Sequence, residues 1–343
     1  MEVTMKTYLI TGGAGFIGSN YIHYLYEKYP QEEIQVINYD LLTYAGNLEN
    51  LKEIQSYPSY EFIQGDVCDR QKVNTLFETY NIDYVVNFAA ESHVDRSIEN
   101  PSVFIQTNIL GTQTLLDVAK KHWEIENGFK KEKKFLQIST DEVYGSLGPE
   151  GYFSESTPIS PHSPYSASKA SADLIVQSYF DTFGFPMNIT RCSNNYGPYQ
   201  FPEKLIPLMI LNALDNKALP IYGDGKNIRD WLYVKDHCSG IEKVLRDSKI
   251  GEVYNIGGRN EMQNKDIVEL IIKILQEELE GQPEFNHINH SLITYIEDRK
   301  GHDRRYAIDA SKIERDLGWS PKTSFEIGLR STIEWYINNY SLL

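Results

Sequence analysis

The apolar stretch Thr7-Tyr-Leu-Ile-Thr11 runs without a gap into Gly12-Gly-Ala-Gly-Phe-Ile-Gly18, and a helical pattern carried by Ile17, Ile22 and Leu25 follows at once. Glycines at these spacings let a chain turn tightly after a strand and bring backbone N–H groups at a helix start against a pyrophosphate. The motif therefore predicts the first βαβ unit of an α/β, doubly wound, Rossmann-type parallel sheet. Gln35-Val-Ile-Asn-Tyr39 reads as the second strand. Asp40 closes it about 20 residues beyond the last glycine, where an acid accepts from adenosine ribose hydroxyls. Neither Leu41 nor Leu42 offers the cation that a 2′-phosphate requires, so NAD is expected in preference to NADP.

Further buried runs extend the sheet. Glu61-Phe-Ile-Gln64 and Tyr84-Val-Val-Asn-Phe88 read as the third and fourth strands, Phe135 to Ile138 as the fifth and Met187 to Arg191 as the sixth. Asp66-Val67 follows the third, beside the expected adenine, and small Ala89 and Ala90 follow the fourth and permit close backbone approach. Asn100-Pro101 predicts the start of a helix to about His122, with Ile105, Ile109, Leu116 and Ala119 as its apolar stripe. The charged stretch 124–134 reads as a solvated loop. Beyond Cys192 the pattern becomes turn-rich, and Val253 to Gly257 looks like one more buried strand that could return to the main sheet. A chain of 343 residues exceeds a typical single core. The expectation is a dinucleotide-binding domain over 1–191, with a returning segment near 229–257, and a smaller mixed α/β substrate lobe formed mainly by 192–343.

Chemistry concentrates in Ser139-Thr-Asp-Glu-Val-Tyr-Gly145, because adjacent carboxylates just past a strand's carboxyl end stand where open α/β sheets bind ligands. An isolated acidic pair in a turn usually caps it. Here Tyr165-Ser-Ala-Ser-Lys169 lies downstream on a predicted helix from Pro164 to about Phe183, with Tyr165 and Lys169 on one face. An ammonium beside a phenol favours the phenolate, so Tyr165 is expected to have a lowered pKa and to serve as a base. Stretch 148–164, rich in Gly, Ser and Pro, reads as a loop over the site. Asp298-Arg-Lys-Gly-His-Asp-Arg-Arg-Tyr306 is the densest basic cluster and reads as an anion clamp.

That cluster stands in an acidic chain. The formal net charge of -15 argues against a nucleic-acid or anionic-membrane partner, either of which needs a basic face. Cys68, Cys192 and Cys238 are scattered and read as reduced thiols, no grouping has metal-ligand spacing, and no apolar run suffices to span a bilayer. A cytoplasmic protein is expected.

These motifs together resemble the extended short-chain dehydrogenase/reductase family over nearly the whole chain. Ser139 to Gly145, Ala89-Ala-Glu-Ser-His-Val-Asp-Arg-Ser97, Asn194-Asn-Tyr-Gly-Pro-Tyr199, Pro202-Glu-Lys-Leu-Ile-Pro207 and Gly301-His-Asp-Arg-Arg-Tyr306 are similar to its dTDP-glucose 4,6-dehydratase branch. The resemblance implies a lyase acting on dTDP-glucose in deoxysugar biosynthesis, with Thr140, Asp141, Glu142, Tyr165 and Lys169 catalytic. It implies cofactor contacts from Gly12, Gly15, Phe16, Ile17 and Gly18 at the pyrophosphate, from Asp40, Leu41, Leu42 and Thr43 at the ribose, and from Asp66 and Val67 at the adenine. Phe88, Ala89, Ala90, Glu91, Ser92, Thr107, Tyr165, Lys169 and Asn195 would complete that pocket. For the nucleotide-sugar it points to Ser92, Thr140, Asn194, Lys204, Leu205, Pro220, Ile221, Tyr222, Arg229, Asn264, Asp298, Arg299, Lys300, Gly301 and His302. Lys204, Arg229 and Arg299 are the cations it assigns to the diphosphate. Lys300 and Asn87 depart from the usual Pro and His. A homodimer paired through the helices near Pro101 to His122 and Pro164 to Phe183 is also implied.

UDP-glucose 4,6-dehydration and nucleotide-sugar 4-epimerisation remain alternatives. Epimerisation shares the oxidation step but needs no acid/base pair for elimination. A non-catalytic NAD-binding scaffold would have no use for Tyr165, Lys169, Asp141 and Glu142 together.

Overall fold

A computed structural model describes residues 5–298 and 303–340. The chain opens with β1 (Lys6–Thr11), α1 (Phe16–Lys28), β2 (Ile34–Asp40), β3 (Tyr60–Gln64), α2 (Arg70–Thr79) and β4 (Tyr84–Asn87). Next come α3 (Val94–Glu99), α4 (Pro101–Phe104), a π-helical segment (Ile105–Gly111) and α5 (Thr112–Trp123). A hairpin of β5 (Glu124–Ile125) and β6 (Gly128–Phe129) precedes β7 (Lys134–Thr140), α6 (Pro164–Phe183) and β8 (Met187–Cys192). The remainder comprises β9 (Asn194–Tyr196), α7 (Leu205–Leu214), β10 (Leu219–Tyr222), β11 (Ile228–Tyr233), α8 (Val234–Asp247), β12 (Val253–Ile256), β13 (Glu261–Gln263), α9 (Asn264–Glu278), β14 (Ile293–Ile296), α10 (Ser311–Leu317) and α11 (Phe325–Asn339).

Seven strands pair in parallel in the order β12-β8-β7-β4-β1-β2-β3. The chain winds outward from β1 in both directions, so the β1/β4 boundary is the switch point where a crevice opens at the strands' carboxyl ends. Alternation of side chains explains the two covered faces. Tyr8 and Ile10 of β1 join a core with Tyr21, Ile22 and Leu25 of α1 and Ile241, Val244 and Leu245 of α8. Leu9 between them faces a second core with Val73 and Leu76 of α2 and Leu115 and Leu116 of α5.

A smaller unit is built from α7, α9, α11 and short sheets, around Ile206, Ile210, Ile271, Leu275, Leu329 and Ile333. Strand β11 serves both units by the same period of two: Leu232 enters the core under α8, whereas Trp231 and Tyr233 enter the smaller unit's core. Strand β12 joins the main sheet beside β8, with Val253 opposite Ile189.

Three local expectations need correction. Stretch 124–134 holds the β5/β6 hairpin and ends in buried lysines. Lys133 Nζ donates to Asn81 Oδ1, Ile82 O and Asp83 Oδ1, each at 2.9 Å, and Lys134 Nζ donates to Ser248 O at 2.8 Å. Long apolar stems buried with partnered ammonium heads make these lysines part of the fold. The helix expected from Pro101 is interrupted by the π turn, which shifts its phase and leaves Ile105 55% exposed. Stretch 148–164 packs on the segment after Asp303 instead of covering the site: Phe153 N donates to Ala307 O and Asp309 N donates to Phe153 O.

Candidate active site

The fingerprint glycines hold their places for steric reasons. Gly12 has φ +70°, and a Cβ there would lie 2.7 Å from Ala89 N. A Cβ on Gly18 would lie 2.3 Å from Gly12 O. The turn at Gly12 starts α1 with Gly15 as its N-cap and no acid in the first turn, which leaves the helix's positive end open to an anion. Asp40 Oδ2 accepts from Ala14 N at 2.9 Å and Oδ1 from Leu42 N at 2.7 Å, so this carboxylate ties the glycine turn to the end of β2. Leu42 contributes its backbone in a left-handed conformation, φ 58°, and does not line the cleft.

A cleft of about 340 Å³ runs along the carboxyl ends of the strands from this turn. Gly12, Gly15, Phe16, Ile17, Gly18, Asp40, Leu41 and Thr43 line one end, and Asp66, Val67, Phe88, Ala89, Ala90, Glu91, Ser92 and Thr107 continue it. Thr140, Asp141, Glu142, Tyr165, Lys169, Asn194, Asn195 and Lys204 complete the other end. The small-residue turn, the open helix start and the acid at the end of β2 fit a dinucleotide.

Each catalytic candidate is placed by its element. Thr140 caps a short 3-10 turn, its Oγ1 accepting from Glu142 N at 3.3 Å, and thereby sets both carboxylates at the end of β7. Asp141 is 1% exposed and its Oδ2 has no partner among the described residues. Burial first, then the Glu142 and Asp230 carboxylates, raise its pKa well above the usual carboxylate range. On α6 a capping box between Ser163 and Ser166, with Pro164 at the first turn, fixes the start that carries Tyr165. Lys169 Nζ donates to Ile138 O at 2.7 Å, and burial lowers its pKa. Tyr165 is shifted opposite to the sequence expectation: burial, then Glu142, raise its pKa well above the usual phenol value. Desolvation and repulsion by the carboxylates set this direction, while the Lys169 ammonium hydrogen-bonds to a backbone carbonyl.

The expected sugar-nucleotide residues divide. Ser92, Thr140, Asn194 and Lys204 line the cleft, whereas Leu205, Pro220, Ile221, Tyr222, Arg229, Asn264 and Asp298 do not. Leu205 packs against the smaller unit's core and Ile221 belongs to it. Arg229 is buried over the Tyr306 ring, 4.2 Å from its centroid, and donates to Ile228 O and Asp303 O. Its guanidinium also couples electrostatically to Asp141 and Glu142 and lowers the pKa of Asp141, against the larger effects of burial, Glu142 and Asp230. Arg299, Lys300, Gly301 and His302 lie outside the described residues. The anion-clamp reading of the following arginines fails, because Arg304 is engaged by Asp224 and Arg305 by Glu261 in paired bonds.

Sequence reasoning also missed contributors. Asn108, aimed inward by the π turn, accepts from Glu91 N at 2.8 Å and donates to Ser168 Oγ at 2.8 Å, which couples the β4 loop to α6. Tyr44 lines the cleft, its hydroxyl lies 2.8 Å from Ser92 O and 3.2 Å from Glu203 Oε1, and Arg96 stacks on its ring. No local pattern announced either residue. Among the described residues no three His, Cys, Asp or Glu side chains group as a metal site, and no helix is long and apolar enough to cross a membrane.

Residues 9–332 match the family described as GDP-mannose 4,6 dehydratase. The chain is 52% identical over 332 residues to a probable dTDP-glucose 4,6-dehydratase of Sinorhizobium fredii, covering 96% of this chain and 93% of that one. Among solved structures it is similar to dTDP-glucose 4,6-dehydratase from Bacillus anthracis in complex with NAD, at 48% identity, TM-score 0.86 and 98% coverage of both chains. It is likewise similar to the NAD-bound dTDP-glucose 4,6-dehydratase of Streptomyces venezuelae, at 44% identity, TM-score 0.88 and 98% coverage of both.

Proposed function

We propose, from the premise that the chain belongs to the dTDP-glucose 4,6-dehydratase family, that its cleft removes water from dTDP-glucose to give the 4-keto-6-deoxy sugar, with the carboxylates after β7 performing the elimination. The enzyme is an NAD-dependent hydro-lyase of deoxysugar biosynthesis. NAD would be held along the Gly12 to Gly18 turn with Asp40 at its ribose, where it would supply the hydride acceptor and donor chemistry needed at C4 and C6.

The chain's own residues manage protons. Thr140 orients the sugar's 4-hydroxyl, and Tyr165 takes its proton, with Lys169 favouring the phenolate. A 4-ketone acidifies the C5 hydrogen. Glu142 removes that proton, and Asp141 gives its own to the departing 6-hydroxyl, so water leaves from C6; Glu142 returns its proton to C5 as C6 is reduced, and the proton gained by Tyr165 balances the one Asp141 gave. One acid and one base must coexist, which requires neighbouring carboxyls in unlike surroundings. The observation that carries this reading is Asp141: 1% exposed, lining the cleft next to Glu142, where burial and that carboxylate raise its pKa. Lys204 is assigned to the diphosphate.

Mass spectrometry of dTDP-glucose incubated with the protein tests it. Loss of one water is expected; an unchanged mass would indicate epimerisation instead.

The exposed apolar side chains Ile98, Ile105, Leu110 and Leu174, on α3, the π segment and α6, support a homodimer formed through these helices. Light scattering on the eluted protein would give twice the chain mass. We assign the protein to the cytoplasm and its substrate lobe mainly to 192–343.

A further inference from the structure

Helix α8 follows β11 directly, and β11 pairs with β9 so that Leu232 lies opposite Asn195. The register brings His237, in the first turns of α8, behind Asn195. His237 is 0% exposed, and its Nδ1 lies 2.8 Å from Asn195 Oδ1. Asn195 Nδ2 donates to Ser193 O at 3.0 Å, which orients the amide with its oxygen toward the imidazole. An amide oxygen only accepts, so the proton of this bond resides on Nδ1. The other ring nitrogen, Nε2, is buried with no partner among the described residues. A second ring proton would have no acceptor there, and burial accordingly lowers the pKa of His237 to about 3. The imidazole is therefore neutral throughout the working range and cannot shuttle protons.

We propose that His237 is a positioning residue: by donating from Nδ1 it locks the Asn195 amide so that the remaining N–H is presented to an oxygen acceptor of the bound dinucleotide. Oδ1 is held by His237 and one amide N–H by Ser193, so a donor is what Asn195 has left to offer. Gln200 Nε2 donates to Asn195 O at 3.0 Å and fixes the backbone of the same residue, so the amide is held from both sides. This inference rests on the reading that Asn195 contacts the cofactor.

The test is a double-mutant cycle read by NADH fluorescence on the full chain, which needs no turnover. Asn195→Ala and His237→Phe are each expected to weaken NADH binding by about tenfold, the value of one oriented hydrogen bond. If His237 acts through Asn195, the double variant binds no more weakly than Asn195→Ala alone. His237→Asn, whose amide N–H replaces the Nδ1 donor, should recover binding to within about threefold of wild type, and His237→Gln should not. The wild-type affinity should also be flat between about pH 6 and pH 9 as far as His237 is concerned. Losses that multiply in the double variant, or a His237→Phe protein that binds normally, would overturn the proposal. Should His237→Phe fail to fold, the Asn/Gln pair decides alone. Wild-type protein that binds NADH but leaves dTDP-glucose intact would defeat the dehydratase reading and leave this inference standing.

Discussion

The ammonium of Lys169 on α6 donates to the carbonyl of Ile138 on β7 at 2.7 Å, so the helix that carries Tyr165 is pinned by a charged hydrogen bond to the strand that carries Thr140. Lys169→Met removes both the pin and a positive charge that lines the same cleft as Tyr165. Turnover should fall by at least about a hundredfold, as for loss of an acid–base assistant. Lys169→Arg should not restore it, because a planar guanidinium cannot occupy an enclosed ammonium site. Steady-state kcat for the two variants checks this.

Tyr165 is held above its ordinary pKa by burial and by Glu142, so the phenol is protonated near neutrality and must lose its proton to act as base. The rate of NADH formation in a single turnover should therefore climb as pH rises toward the alkaline range. Tyr165→Phe should abolish that signal at every pH. A Phe variant that still forms NADH at the wild-type rate would remove Tyr165 from the step.

On the proposed mechanism Glu142 acts after oxidation. Glu142→Gln should slow elimination by roughly two to four orders of magnitude while still reducing cofactor on substrate addition. Stopped-flow absorbance that shows NADH accumulating, together with mass spectrometry that shows no water lost, is the expected pair of results.

Asp141→Asn should separate stability from activity. The unfolded chain ionises Asp141 near the ordinary value of 3.8, whereas the folded protein keeps the proton because burial and Glu142 raise the pKa. As pH climbs above that ordinary value the unfolded state is favoured progressively, until the folded carboxyl ionises as well. The amide carries no such penalty. Its Tm should exceed wild type by on the order of 2 °C near neutrality and match it near pH 4. Dehydration should drop by about a hundredfold or more, since the amide has no acidic proton to give.

Gly18→Ala places a methyl 2.3 Å from Gly12 O and 2.8 Å from Gly13 Cα, both backbone. The glycine turn must shift, at a cost of about 1–3 kcal/mol. NADH affinity, measured by fluorescence, should fall along with Tm.

The dinucleotide turn and the sheet were legible because their signals are local: a glycine spacing joined to a strand, an acid at the next strand's end, and runs such as Tyr84 to Asn87 that are buried whole. The acidic pair at Asp141 and Glu142 was legible for the same reason. Lys133 and Lys134 were misread because composition records their charge and not the carbonyls and Asp83 waiting at the ends of their stems. Arg304 and Arg305 looked like a clamp until Asp224 and Glu261, distant in sequence, appeared beside them. The π turn that aims Asn108 inward leaves no mark in a period of 3.6. His237 had only its single-letter identity to offer, and its meaning depends on the pairing of β9 with β11.

Strand β11 feeds two cores from alternate side chains, β12 then re-enters the main sheet, and α10 packs back onto α8 before α11 returns to the smaller unit. The smaller unit, proposed as the substrate lobe, is consequently not a detachable cassette. Chimeras that swap everything after Cys192 would exchange a sheet edge along with the pocket, so transplanting specificity between relatives calls for grafting separate stretches around β11 and β12 while leaving those strands with their host.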